Sequence, residues 1–154
     1  MNLTYKKATI DDLDTLVKTR IEVLRSANEL DDDINMEKVE QKSKEYYIKS
    51  LNNDVHTAYL VFDNNSFVGA GGVSYFSVLP TYHNPTGKKA YIMNMYVRPD
   101  YRRQGIATKV LDLLVEDAKV KGINVISLEA TRMGKPLYEK YGFVKMENEM
   151  ELLD

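Results

Sequence analysis

The sequence predicts an α/β domain in which one mixed, mostly antiparallel sheet carries helices on both faces. Three observations predict it. Runs rich in Val, Ile, Tyr and Phe alternate with stretches whose apolar residues recur every three or four positions, the periods of strand and helix. They follow the order β-α-α-β-β-β-α-β-α-β, with a hairpin early and a strand-turn-helix unit later. A length of 154 residues fits one domain spanning residues 1–154 and needs no second.

Each element has its own justification. Asn2–Ala8 reads as the first strand, and Thr9 as an N-cap whose followers Asp11 and Asp12 put negative charge at the start of a helix reaching about Arg25. After the acidic connector Asp31–Asp33, a second helix is expected from Met36 to Leu51. Val55–Phe62 and Phe67–Phe76 flank the turn residues Asp63–Ser66 and read as a hairpin. Gly69, Gly71 and Gly72 weaken its second strand and mark a bulge or a close backbone approach. Ser77–Lys89, with Pro80, Pro85 and Gly87, is a long connection that reads equally as a binding loop or a passive surface excursion. Ala90–Val97 is a mostly buried strand that Pro99 ends. Ile106, Val110, Leu111, Leu114 and Ala118 form one stripe of a helix that Gly122 stops. Asn124–Ala130 is β-branched and strand-like, Pro136–Tyr141 a short helix, and Phe143–Leu152 a final strand of alternating character.

Composition narrows the function. A hydrophobic fraction of 44% and a charged fraction of 29% suit a soluble globular protein, and no apolar run reaches the length of a membrane span. Met1–Ile10 lacks the apolar core of a signal peptide, so a cytoplasmic address is expected. There is no cysteine, which excludes disulfides, thiolate metal sites and a cysteine nucleophile; with two histidines no metal is expected either. The net charge of −2 argues against a nucleic-acid partner. That charge is uneven: Lys88–Lys145 holds 12 Lys and Arg against 6 Asp and Glu, whereas Met1–Asp54 holds 9 against 12. The acidic part suits either a cationic co-substrate or plain solvation.

The basic block coincides with a candidate anion cradle. Between the strand Ala90–Val97 and its following helix, the turn Arg102–Ala107 carries two guanidiniums, and small Gly105 and Ala107 allow an anion to approach the backbone. First-turn amides lack intrahelical partners and the helix dipole favours negative charge there, so a phosphate is the expected guest.

This turn, within YVRPDYRRQGIATKVL, and the later LYEKYGF at Leu137–Phe143 resemble the GNAT superfamily of acetyl-CoA-dependent N-acetyltransferases. The family turn asks for Arg or Gln, two free positions, Gly, one free position, then Gly or Ala; Arg102, Gly105 and Ala107 satisfy it. The resemblance implies a twisted sheet of about six to seven strands whose fourth and fifth strands splay apart. It implies acetyl-CoA as co-substrate, with pyrophosphate on the turn formed by Arg102, Arg103, Gln104, Gly105, Ile106, Ala107 and Thr108. Pantetheine would run along Met95, Tyr96 and Val97, where unpaired strand amides can also hold the thioester carbonyl.

Aminolysis of a thioester adds two demands. A primary alkylamine has a pKa near 10.4, so at pH 7 only about one molecule in a thousand is nucleophilic and a base is needed. Glu129, at the end of a strand where some family members place a catalytic glutamate, is the candidate base; an ion pair with Arg132 or a lysine is its alternative role. The chain departs from other members in having Asn94 and no carboxylate on Ala90–Val97, so water-mediated proton removal, with His83 or Glu22, stays open. The leaving thiolate needs a proton, and Tyr138 matches the family tyrosine that supplies it; without the family it reads as a packing residue.

The implied acceptor is a primary amine, preferably of a small molecule because no peptide-docking appendage is evident. Helices around Ile21–Asn52 and the loop Tyr82–Gly87 would wall its site, with Glu22, Tyr82, His83 and Asn94 as candidate contacts. A non-catalytic acyl-CoA sensor and a protein N-terminal or lysine acetyltransferase are the alternatives, and a homodimer is left open.

Overall fold

A computed structural model describes every residue from Met1 to Asp154. The elements are β1 (Leu3–Lys7), α1 (Leu13–Ala27), α2 (Glu37–Asn52), β2 (His56–Asp63), β3 (Ser66–Ser77), β4 (Lys88–Val97), α3 (Ile106–Val120), β5 (Ile126–Leu128) and α4 (Lys135–Tyr141). Strands lie in the order β1-β2-β3-β4-β5, antiparallel except for β5, which runs parallel to β4. The fold class is as expected, a mixed sheet with helices on both faces.

Local chemistry explains the element ends. Thr9 caps a short 3-10 turn, Ile10–Asp12, through a capping box with Asp12, and α1 starts one residue later. The hairpin turns at Asn64, whose φ of 54° is the left-handed conformation that Asn tolerates.

Two apolar layers hold the sheet between them. On one face Leu16 and Val17 of α1 and Tyr47 of α2 pack on Ala58, Leu60, Phe67 and Ala70. On the other, Ile106, Val110, Leu111 and Leu114 of α3, with Tyr138 of α4, cover Val61, Val73, Ala90 and Ile92. No helix is long and apolar enough to cross a membrane.

One irregularity in the sheet positions the site. Gly72 pairs Met93 and Ala70 pairs Tyr96, so a single residue, Gly71, opposes both Asn94 and Met95. This is a bulge in β4, and Asn94 sits in it with φ at 60°. Gly71 is required opposite: a Cβ there would lie 2.5 Å from Val110 Cγ1 and 2.7 Å from Met95 Sδ. Just before the bulge β4 parts from β5, which pairs only Ala90, Ile92 and the residue between them. The expected splay of the fourth and fifth strands is therefore present.

Three expectations are corrected. The sheet has five strands, not six to seven, and Phe143–Leu152 forms no strand despite its alternating sequence. Every residue from Val144 to Asp154 is exposed, so both sets of the alternation face solvent. The fifth strand is three residues instead of the seven from Asn124 to Ala130, because its partner turns away at the bulge. So short a β5 offers little edge for a further strand to pair with.

Candidate active site

The end of β4 and the start of α3 form a backbone cradle. Pro99–Tyr101 makes one 3-10 turn, fixed by the Tyr101 hydroxyl donating to Asp63 Oδ2 at 2.7 Å. Arg102 folds back, its Nε donating to the Val97 carbonyl at 3.0 Å. Arg103 and Gly105 then take φ values of 61° and 83° on either side of Gln104, an alternation that turns successive N–H groups into anion-binding concavities. The amides from Arg103 to Thr108 donate to no protein group. An ideal Cβ at Gly105 would meet nothing within 4 Å, so the mouth of the cradle is open.

The side chains around it divide by face. Arg103, Gln104, Gly105 and Thr108 are exposed, Ala107 is half-buried and Ile106 is buried in the core, where it offers a ligand its amide alone. Met95 and Val97 pack toward α3, whereas Tyr96 stacks on Phe67 at 6.4 Å on the opposite face. Burial, followed by its bond to Glu22, raises the Tyr96 pKa. What Met93–Val97 present on the β5 side is therefore a strand edge with no strand beside it.

Tyr138 lies on α4, packed edge-to-face with Phe143 at 6.1 Å. It is 8% exposed, its hydroxyl has no protein partner, and burial raises its pKa. Glu129 is exposed just past β5, with the Tyr91 hydroxyl donating to its Oε2 at 3.4 Å.

The remaining expected contacts scatter. Glu22 accepts both the Nε and Nη2 of Arg98, at 2.9 and 2.8 Å, and this pairing, which outweighs burial, lowers its pKa. A carboxylate so held is a poor proton acceptor. Tyr82 and His83 sit on the exposed β3–β4 loop, ring against ring at 5.3 Å, and Tyr82 is 92% exposed. Asn94 accepts a hydrogen bond from Arg20 Nη1 at 2.9 Å.

A group of residues the sequence did not single out meets Asn94. A cavity of about 250 Å³ opens between α1, α2 and the sheet, lined by Arg20, Tyr46, Tyr47 and His56, with Ser74, Met93 and Asn94 as its floor. Lys42 and Ser43 stand at α2. Tyr46 bridges His56 Nδ1 at 3.0 Å and Ser74 Oγ at 2.6 Å. His56 is buried, its Nε2 lacks a partner, and burial with a smaller contribution from Arg20 lowers its pKa to about 4, so it is uncharged at neutral pH. The cavity reaches β4 at Met93 and Asn94, where β5 has just departed. A wider groove of about 700 Å³ between α1 and α2 contains no residue of the sheet. No periodic signal in the sequence groups Arg20, Tyr46 and His56, which belong to three elements.

A family model for acetyltransferases of the GNAT family matches residues 24–143, a span that includes β4, the cradle, Glu129 and Tyr138. The chain belongs to the acetyltransferase (GNAT) family. A predicted acetyltransferase from Clostridium acetobutylicum, solved with acetyl-CoA, is 34% identical over 98% of this chain and 96% of its own, with a TM-score of 0.89. A GCN5-related N-acetyltransferase from Ralstonia eutropha shares the fold at 22% identity and a TM-score of 0.84, covering 99% of both chains. Among curated relatives, thialysine N-epsilon-acetyltransferase from Mus musculus is 34% identical over 79 residues, which are 51% of this GNAT chain and 44% of the mouse protein. The match thus spans less than half of that relative.

Proposed function

We propose that this GNAT chain transfers acetyl from acetyl-CoA to the primary amine of a small molecule by direct attack in a ternary complex. The observation that carries the reading is the unbroken run of unpartnered amides, Arg103–Thr108, placed beside the open half of β4. Such a cradle suits a pyrophosphate, and a free strand edge suits the amides of a pantetheine arm. The Clostridium structure with acetyl-CoA supports the donor, and relatives named for acetylating thialysine support a small-molecule acceptor.

Acetyl-CoA supplies an activated thioester. The chain supplies the rest: the amides of Arg103–Thr108 with exposed Arg103 hold the phosphates, and Met95–Val97 align the arm through main-chain bonds. In this reading Tyr138, protonated at neutral pH and without another partner, serves as general acid for the departing thiolate. Glu129, solvated and outside any ion pair, is the candidate acceptor of the ammonium proton. Asn94 has no such capacity, and Glu22 is held by Arg98.

The test is release of CoA thiol from acetyl-CoA with a panel of amines; the chain has no cysteine, so a thiol reagent reads CoA alone. Tyr138→Phe is expected to lower kcat by about 10²-fold, the usual size of a lost general acid. An unchanged kcat would remove Tyr138 from that role. CoA binding with no turnover of any amine would favour a sensor instead.

A further inference from the structure

The cavity at Asn94 is electrostatically wrong for a bare amine. An alkylammonium carries a positive charge at neutral pH, yet among the residues lining the cavity two, Arg20 and Lys42, are cationic and none is a carboxylate. Lys42 reaches Glu45 at 3.3 Å on the surface, where both side chains are largely exposed and the pair is weak. Arg20 is different. It is half-buried, forms no salt bridge, and its Nη1 bonds the neutral amide of Asn94, leaving Nε and Nη2 free. Glu22, on the same helix, is fully engaged by Arg98.

With Nε and Nη2 unpartnered at the cavity, the guanidinium offers a two-point donor edge of the kind that holds a carboxylate bidentately. The other lining groups add no negative charge: His56 is neutral, and Tyr46 and Ser74 bond to it and to each other. At about 250 Å³ the space is at the small end for ligand pockets, the scale of an amino acid. Asn94 fixes Arg20 at the bulge, so an anion bound there stands beside the point where β4 opens.

We propose that the acceptor is an amine that also carries a carboxylate, and that Arg20 is the residue selecting it, with Lys42 completing the positive rim. This rests on the transfer reading above. The carboxylate binds the free edge of the Arg20 fork, which leaves the amine at the other end of the molecule to approach β4. The two cations then attract the carboxylate of such an acceptor, whereas a diamine offers them only charges of their own sign.

The experiment compares matched acceptors with acetyl-CoA: L-lysine and L-ornithine against 1,5-diaminopentane and 1,4-diaminobutane, with L-lysinamide keeping the shape but losing the anion. The carboxylated member of each pair is expected to have a kcat/KM at least about 10²-fold higher, mostly through KM. Arg20→Gln should shrink that ratio to below about 3-fold, and Arg20→Lys should restore part of it, which loss of packing alone would not do. Lys42→Gln, on the exposed rim, should narrow it less. Equal or better turnover of the diamines, or an unchanged ratio in Arg20→Gln, would overturn the carboxylate assignment while leaving acetyl transfer standing. No turnover of any amine would overturn the transfer reading and this inference with it.

Discussion

His56 shows how burial sets the chemistry of one residue. Packed edge-to-face against Tyr46 and Tyr47, it has a pKa pushed from 6.5 down to about 4, chiefly by burial and further by Arg20. The sign follows from proton counting: between those values the unfolded chain binds a proton that the folded chain does not, so stability is full above pH 6.5 and falls toward pH 4. The loss amounts to about 3 kcal/mol over that window. Urea midpoints measured from pH 7 to pH 4.5 should fall more steeply in the parent chain than in His56→Gln, because carboxylates with lowered pKa values contribute equally to both. Parallel curves would show that His56 is not the titrating group. Tyr138 belongs to the same scale: its ring is buried among apolar groups while its hydroxyl has no protein partner, and the phenylalanine substitution tests its chemistry with little change in packing.

At the scale of elements, the bulge in β4 and Gly71 opposite it act as a unit. The missing Cβ lets α3 lie against the sheet through Val110, and α3 carries the cradle at its first turn. Gly71→Ala would force Val110 and Met95 apart; overpacking of this kind costs about 1–3 kcal/mol. Because Met95 is on the open edge and Val110 on the cradle helix, the same substitution should raise the KM for acetyl-CoA severalfold. A lowered midpoint with an unaltered acetyl-CoA KM would show that α3 absorbs the strain without moving the cradle.

Across the whole molecule, a polar network that ties the sheet to α3 lies apart from the cradle. Far from the cradle, at the other end of α3, Asp117 accepts hydrogen bonds from Tyr75 and from Thr57 Oγ1 at 2.7 Å, and pairs with Lys7 Nζ at 2.9 Å. This joins β1, β2 and β3 to the helix. Burial alone would raise the Asp117 pKa, but those three bonds outweigh it and the pKa is lowered. Asp117→Ala strands the Tyr75 and Thr57 hydroxyls and should cost about 3 kcal/mol, or about 10 °C in Tm for a chain of this size. Its kcat/KM for acetyl transfer should stay within about 2-fold, and a larger fall would mean that the network also tunes the site.

Local features were legible in the sequence: the order of strands and helices as far as α4, the Thr9 cap, the Pro99 stop and the Arg102–Ala107 turn. These depend on neighbours a few positions apart, so periodicity and turn chemistry suffice to read them. Splaying was legible through the family motif, and the glycines around Gly71 marked the bulge or close approach found there; that Asn94 is the residue that bulges was not legible. The tertiary structure alone decided which strands find partners and which charges do. Phe143–Leu152 alternates like a strand yet has no long edge to join. Glu22 spends its charge on Arg98, 76 residues away, while Arg20 keeps its charge free beside Asn94. Pairing across such separations is fixed only when the sheet and helices close, and so the cavity at Arg20, Asn94 apart, lay beyond the sequence.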